Sequence, residues 1–226
     1  MSDIRELNMT CRVMNDVPEM LPLRYERKIA LRNGGSYAIF SRLKSLGFRE
    51  VYPVREVSSV YFDEPDLSCL TSSFNGDMNR LKLRLRYYNS DVKHAKLELK
   101  RKNGYLGNKK TITFPGEFFD LDEALLVCQQ WINSNVSRAY IPTAKVSYQR
   151  VYLEKDYLRI TLDRHVSGER LFGSTGVKSR LGSYDVVEFK YAAEFDCKFR
   201  LWFEKLSFIP IRVTKSSKYT NVFKSS

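Results

Sequence analysis

The residues of this chain best suited to chemistry are cations set two positions apart. In Arg80 to Lys102, RLKLRLRYYNSDVKHAKLELKRK, leucines stand at 81, 83 and 85 and cations at 82, 84 and 86; further on, Lys96, Glu98, Lys100 and Lys102 alternate with Leu97 and Leu99. Side chains two apart on a strand share a face, so both stretches read as strands with one apolar and one ionic side, joined by a hairpin at Asn89 to Lys93. Planar guanidinium forks in this arrangement suit paired contacts to phosphate oxygens, and lysine adds point charge where geometry is looser. Lys82, Arg84, Arg86, Lys100 and Lys102 are therefore phosphate-binding candidates. One such strand alone is more simply a solvated face guarded by lysine.

The pattern recurs, and the recurrence decides the reading. LRYERKIAL at 23–31 sets Leu23, Tyr25, Ile29 and Leu31 against Arg24, Glu26 and Lys28. LRITLDR at 158–164 sets Leu158, Ile160 and Leu162 against Arg159, Thr161 and Asp163, and DVVEFKY at 185–191 sets Val187, Phe189 and Tyr191 against Glu188 and Lys190. Solvated faces usually mix in Ser, Gln and Asn, whereas these hold almost only ions. A sheet of such strands, curled with the ionic face inward and the apolar face under helices, makes a barrel lined by charge. Carboxylates among so many cations suit a hard divalent ion, which takes oxygen ligands and bridges phosphates. Glu26, Glu98, Asp163 and Glu188 are the metal candidates, and plain charge balance is the competing reading for each.

The elements that must position these residues follow in order. Residues 1–22 read as a leader segment and 23–226 as a single domain. Ser36 is placed to cap a helix running to Leu46, ended by Gly47. Glu56 to Asp63 reads as a strand, 64–77 as irregular, and Lys109 to Phe114 as a short strand after an Asn103-Gly104 turn. Leu121 to Asn133 carries a helical stripe with Asp120 as cap. Ala144 to Glu154 pairs with Leu158 to Arg164 around Lys155-Asp156. A loop from Ser167 to Ser183, a helix from Glu194 to Leu206 and a last strand from Ile209 to Val213 complete the chain. The fold class expected is α+β, with about three helices.

Composition narrows the partners. Lys and Arg number 38 against 26 acids, a formal charge of +12 that favours anionic ligands. Four scattered cysteines without a C-x-x-C pair and two histidines argue against a zinc site or a disulfide framework and for a reducing cytoplasm. No signal peptide and no run of about 18 apolar residues is visible, which leaves a membrane-protein partner open. GSTGVKS at 173–179 lacks P-loop spacing and its strand-loop-helix setting.

In order along the chain, Glu26-x-Lys28, Tyr61-Phe62-Asp63, Arg84-x-Arg86, Glu98-x-Lys100-x-Lys102, Arg150, Thr161-x-Asp163, Glu188-x-Lys190 and Ser217-Lys218-Tyr219 resemble the VTC domain, the polyphosphate polymerase branch of the triphosphate tunnel metalloenzymes of the CYTH superfamily. The likeness runs over about 23–222. It implies an antiparallel eight-stranded tunnel that takes ATP, passes its γ-phosphate to a growing polyphosphate chain and releases ADP, with no specific nucleic acid as partner. It further implies that Arg84, Arg86, Lys100, Arg150 and Lys190 act on the transferring phosphates, with Lys28, Lys82, Lys102, Arg159, Lys218 and Tyr219 as further substrate contacts. Glu188 would anchor Mn²⁺ or Mg²⁺, with Glu26, Glu98 and Asp163 as weaker candidates, and elongation would need a tunnel open at both ends. A tunnel triphosphatase on the same fold and a non-catalytic polyanion binder are the alternatives.

Overall fold

A computed structural model of the chain describes residues 24–32, 34–103, 106–136, 138–171, 184–204, 206 and 217–224. The expected leader, most of the Ser167 to Ser183 loop and the strand at Ile209 to Val213 lie outside these residues.

Eight strands form one antiparallel sheet: β1 (Arg24–Arg32), β2 (Arg49–Asp63), β3 (Asn79–Tyr88), β4 (Asp91–Asn103), β5 (Leu106–Ile112), β6 (Ile141–Lys155), β7 (Leu158–Arg170) and β8 (Tyr184–Ala192). Their spatial order is β1-β8-β7-β6-β2-β3-β4-β5. The curled wall is not closed by a β1–β5 ladder among the described residues. Lys100 of β4 instead reaches Glu26 of β1 at 3.3 Å.

Turn chemistry sets the hairpin registers. Asn89 and Ser90 both take positive φ, 50° and 61°, the geometry that matches strand twist in a two-residue hairpin. Arg84 thereby lies opposite Glu98, and Lys82 opposite Lys100. Asp156, at φ 51°, makes the β6–β7 turn, and Arg150 falls opposite Asp163.

The described residues hold five helices, where about three were expected: α1 (Gly35–Ser45), α2 (Ser68–Asn75), α3 (Leu121–Asn135), α4 (Asp196–Glu204) and α5 (Lys218–Lys224), with a 3₁₀ turn at Ala193–Phe195. None among the described residues is long and apolar enough to cross a membrane. Ser36 does not cap α1. Gly34 holds the cap position at φ 82°, and Ser36 is buried, giving its N–H and hydroxyl to Asp185 Oδ2 at 3.1 and 2.7 Å. Asp120 does cap α3, accepting from Glu123 N at 2.8 Å while Glu123 accepts from Phe119 N at 2.6 Å, an exchange that satisfies two end donors.

The apolar faces lie outward, as the alternation requires. Ile29, Leu158, Ile160, Leu162, Val187 and Phe189 pack under α1 and α4, and Leu83, Leu85 and Leu97 pack under α3 with Cys128 and Ile132. Each such side chain contributes about 1.5–3 kcal/mol by burial, which holds the ionic faces turned inward. At one end, however, the inner face is apolar too. Val57, Tyr61, Ala144, Val146, Tyr148 and Val186 surround Tyr219 and Val222 of α5, so α5 sits in the lumen. The expected opening at both ends meets this helix at one of them.

Candidate active site

Cross-strand register assembles the lining row by row. Lys28 faces Glu188, which faces Thr161, which faces Tyr152. Glu26 faces Lys190, which faces Arg159. On the other wall Tyr61 faces Arg84, and Lys82, Lys100 and Lys109 run side by side. Directly opposed residues share a face, so these side chains all lie on the inner side of the sheet.

The four acids differ in how fully they are engaged. Glu98 takes Arg84 at 2.6 Å, Lys109 at 2.6 Å and Arg86 at 3.6 Å. Burial would raise its pKa, but the fields of Arg84 and Arg86 and the contact with Lys109 bring it down to about 2. Asp163 is fully buried, receives Arg150 through Nε at 2.6 Å and Nη2 at 2.8 Å, and receives Lys218 at 2.5 Å. Against burial, Lys218 and Arg150 lower it to about 2. Both carboxylates are saturated by cations. Glu26 is paired with Lys100 at the surface.

Glu188 is different. It is buried, yet its cations stand back, Lys28 at 3.5 Å and Lys190 at 3.6 Å. Burial favours its neutral form, but Lys28, Lys190, Lys218 and Arg150 outweigh that and hold the carboxyl well below the usual range. The hydroxyl of Thr161, opposite it in register, is buried without a hydrogen-bond partner. An ionised oxygen donor with loose partners beside an orphaned hydroxyl fits a small hard cation, which keeps waters and shares its ligands with phosphates. Among the described residues no three His, Cys, Asp or Glu cluster.

The cations outnumber the acids. Lys82 reaches Ser217 Oγ at 2.9 Å and forms no ion pair among the described residues. Burial, with repulsion from Lys28, Arg80 and Lys100 against the pull of Tyr61, lowers it to about 8. Lys102 is shifted down by burial and by Arg80 and Lys100. For Tyr61 burial acts upward, but Arg84, Arg86 and Lys82 bring it to about 8. A lumen that depresses lysine by burial and by crowding it with lysine and arginine is poised for an added polyanion.

Lys28, Lys82, Arg84, Arg86, Lys100, Arg150, Lys190 and Lys218 are thus brought together, with Lys102 at the end of the row. Two expected contacts sit apart. Arg159 is largely exposed and paired with Glu154 at 3.0 Å. Tyr219 gives its hydroxyl to Asp63 at 2.6 Å and stacks on Tyr61 at 4.8 Å, so it anchors α5. Tyr61, Tyr148, Thr161 and Ser217 also line the site. Tyr61, Thr161 and Ser217 stand in the Tyr-Phe-Asp, Thr-x-Asp and Ser-Lys-Tyr motifs, whereas Tyr148 carries no signal beyond strand parity.

Comparison with known proteins identifies the architecture. The sequence profile of the VTC domain matches residues 38–226. The chain belongs to the VTC domain family. No curated protein matches. Solved structures similar to this VTC domain include a Hippeastrum protein, a candidate adenylyl cyclase described as having a dominant triphosphatase activity (15% identity, 88% of this chain and 94% of that one, TM-score 0.53). Another is a candidate adenylate cyclase from Bacillus halodurans (15%, 90% and 97%, 0.53), and a third is the PH1012 protein of Pyrococcus horikoshii OT3 (12%, 86% and 97%, 0.52). At these identities the likeness is one of fold.

Proposed function

We propose that this VTC domain is a divalent-metal-dependent polyphosphate polymerase that transfers the γ-phosphoryl group of ATP to a growing polyphosphate chain and releases ADP. The observation that carries the proposal is the length of the cation track. Arg86, Arg84, Lys82 and Arg80 share the inner side of β3 over roughly 20 Å at the usual strand rise, with Lys96 to Lys102 alongside. That exceeds the reach of one triphosphate and suits a chain of phosphates.

In the transfer, a terminal oxygen of the chain forms a bond to the γ-phosphorus, the bond to the β–γ bridging oxygen breaks, and ADP leaves with that electron pair. Phosphoryl transfer asks the protein mainly for positioning and charge neutralisation. Lys28, Lys82, Lys100 and Lys190 hold phosphate oxygens, with Lys102 extending the track and Arg159 at its rim. Arg84 and Arg86, fixed by Glu98, and Arg150 and Lys218, fixed by Asp163, present charge that needs no reorganisation. Glu98 and Asp163 are positioning residues in this scheme. Glu188 would hold Mn²⁺ or Mg²⁺, Glu26 being the second candidate, and the ion would supply charge neutralisation for the phosphates. The free thiols among the described cysteines support a cytoplasmic setting.

A second reading, a tunnel triphosphatase, is favoured by α5, whose place in the lumen suits a short substrate entering from one side, and by the activity described for the Hippeastrum protein. Incubation with ATP and Mn²⁺ separates the two. Long polyphosphate with stoichiometric ADP is expected, and free phosphate without polymer would establish the triphosphatase instead.

A further inference from the structure

The rim of the lumen carries aromatic rings that the phosphate chemistry does not use. The β2–β6 ladder shifts register on both sides of the Tyr52/Tyr152 pair, around Pro53, and proline inside a strand belongs at such irregularities. Positions 52 and 55 would face opposite sides of a regular strand, but the extra residue re-aims one of them. Tyr52 faces Tyr152 and Arg55 faces Arg150, so all four share the lumen side.

The rings and the guanidinium form one group. Tyr52 meets Tyr152 edge-on, centroids 5.4 Å apart. The Arg55 guanidinium lies 5.0 Å from the Tyr52 ring and 5.9 Å from that of Tyr88, and Arg55 forms no ion pair among the described residues. Pairing of β3 with β2 begins only at Val57, so Tyr52 stays 49% exposed. Tyr152 stands in the cross-strand row of Thr161 and Glu188, two strands from Glu188 and so roughly 10 Å away.

Tyr152 is half-buried with the Arg150 guanidinium 5.8 Å from its ring, and the exposed Tyr52 ring with a planar cation beside it can recognise a flat heteroaromatic ring, because stacking needs only a π-face. We propose that Tyr52, Arg55 and Tyr152 form a subsite for the base of the nucleoside triphosphate whose phosphates extend toward Glu188. The proposal rests on the reading of ATP as donor. It also sets the selectivity. Ring faces do not read base edges, so ATP and GTP bind within a few-fold of each other.

Equilibrium binding of ATP, GTP and tripolyphosphate, each with Mn²⁺, to the full chain and to Tyr52→Ala and Tyr152→Ala tests this. The expected result is about tenfold weaker ATP binding in each variant, with tripolyphosphate unchanged in Tyr52→Ala, and recovery of ATP binding in Tyr52→Trp. Tripolyphosphate affinity doubles as the check on folding. If ATP affinity is unmoved, or falls in step with tripolyphosphate, the subsite is overturned while the phosphate site stands. A wild-type protein that binds none of the three overturns the reading beneath it as well.

Discussion

Arg84 holds one oxygen of Glu98 through Nε at 2.8 Å and Nη2 at 2.6 Å, while Lys109 takes the other at 2.6 Å. Nothing comparable closes on Glu188, whose lysines stay at 3.5 and 3.6 Å. Two glutamates in one lumen should therefore respond differently to the same change. Glu188→Gln is expected to remove most metal-dependent turnover and keep tripolyphosphate binding. Glu98→Gln, which leaves buried arginine without its partner, is expected to lose up to about 3–5 kcal/mol of stability and keep its response to Mn²⁺. Metal titration of turnover, with thermal melts, checks both. Full metal-dependent activity in Glu188→Gln would sink the metal assignment.

Lys82 is a cost to the fold in the absence of ligand. A partly buried ammonium lowered to about 8 with only a hydroxyl as partner opposes folding near neutral pH. Lys82→Met is expected to raise the melting temperature and weaken tripolyphosphate binding about tenfold, the loss of one charge-assisted contact. A lower melting temperature in this variant would contradict the account.

The same group sets a pH dependence. Lys82 loses its proton near 8 in the folded protein against 10.5 ordinarily, and Tyr61 ionises near 8 against 10.0. Lys82 loses a positive charge and Tyr61 gains a negative one, so the net charge of the lumen drops and tripolyphosphate affinity falls as pH rises through about 8. Stability moves the other way. Between about 8 and 10 the unfolded chain retains protons that the folded one has released, so stability rises with pH across that window. Calorimetric titrations at pH 7 and pH 9, with melts at both, should show opposite trends, and Lys82→Met should flatten the binding curve.

Tyr219 ties α5 into the lumen. Its hydroxyl donates to Asp63 at 2.6 Å and lies 3.0 Å from Thr143 Oγ1, and Asp63 also accepts from the N–H groups of Cys69 and Leu70 at 2.9 and 2.8 Å. Tyr219→Phe keeps the ring stack and deletes one hydrogen bond to a buried carboxylate, a loss of about 1.5–3 kcal/mol. A lower denaturant midpoint with an unchanged slope is the expected readout. No change in midpoint would mean that α5 is held by its apolar side alone.

Much of the wall was legible before any coordinates, because a two-residue period in residue type states which side chains share a face. Leu83 and Leu85 are buried beneath α3 and Arg84 and Arg86 are turned inward, as the alternation in β3 demands. Helix α3 was legible through its stripe and its aspartate cap. Helix α2 was not. Its eight residues bury only Cys69 and Leu70, and its amides at 69 and 70 are satisfied by Asp63, which no local pattern announces. Helix α5 was hidden for a similar reason, since its place depends on Tyr61, Tyr148 and Val186 on strands distant in the chain. Ser36, suited by type to a helix cap, was claimed instead by the buried Asp185.

What the sequence determined by itself is the sidedness of the strands, the excess of cations on one side and the family to which the chain belongs, all properties of residue type and order. Which acids are tied up by cations was decided only by tertiary structure. Glu98, Asp163 and Glu188 sit in like strand contexts, and only the packing of Arg84, Arg150 and Lys218 against the first two, with Lys28 and Lys190 standing back from the third, separates them. A carboxylate's availability depends on distances of a few tenths of an ångström to residues far along the chain, and periodicity carries no such information.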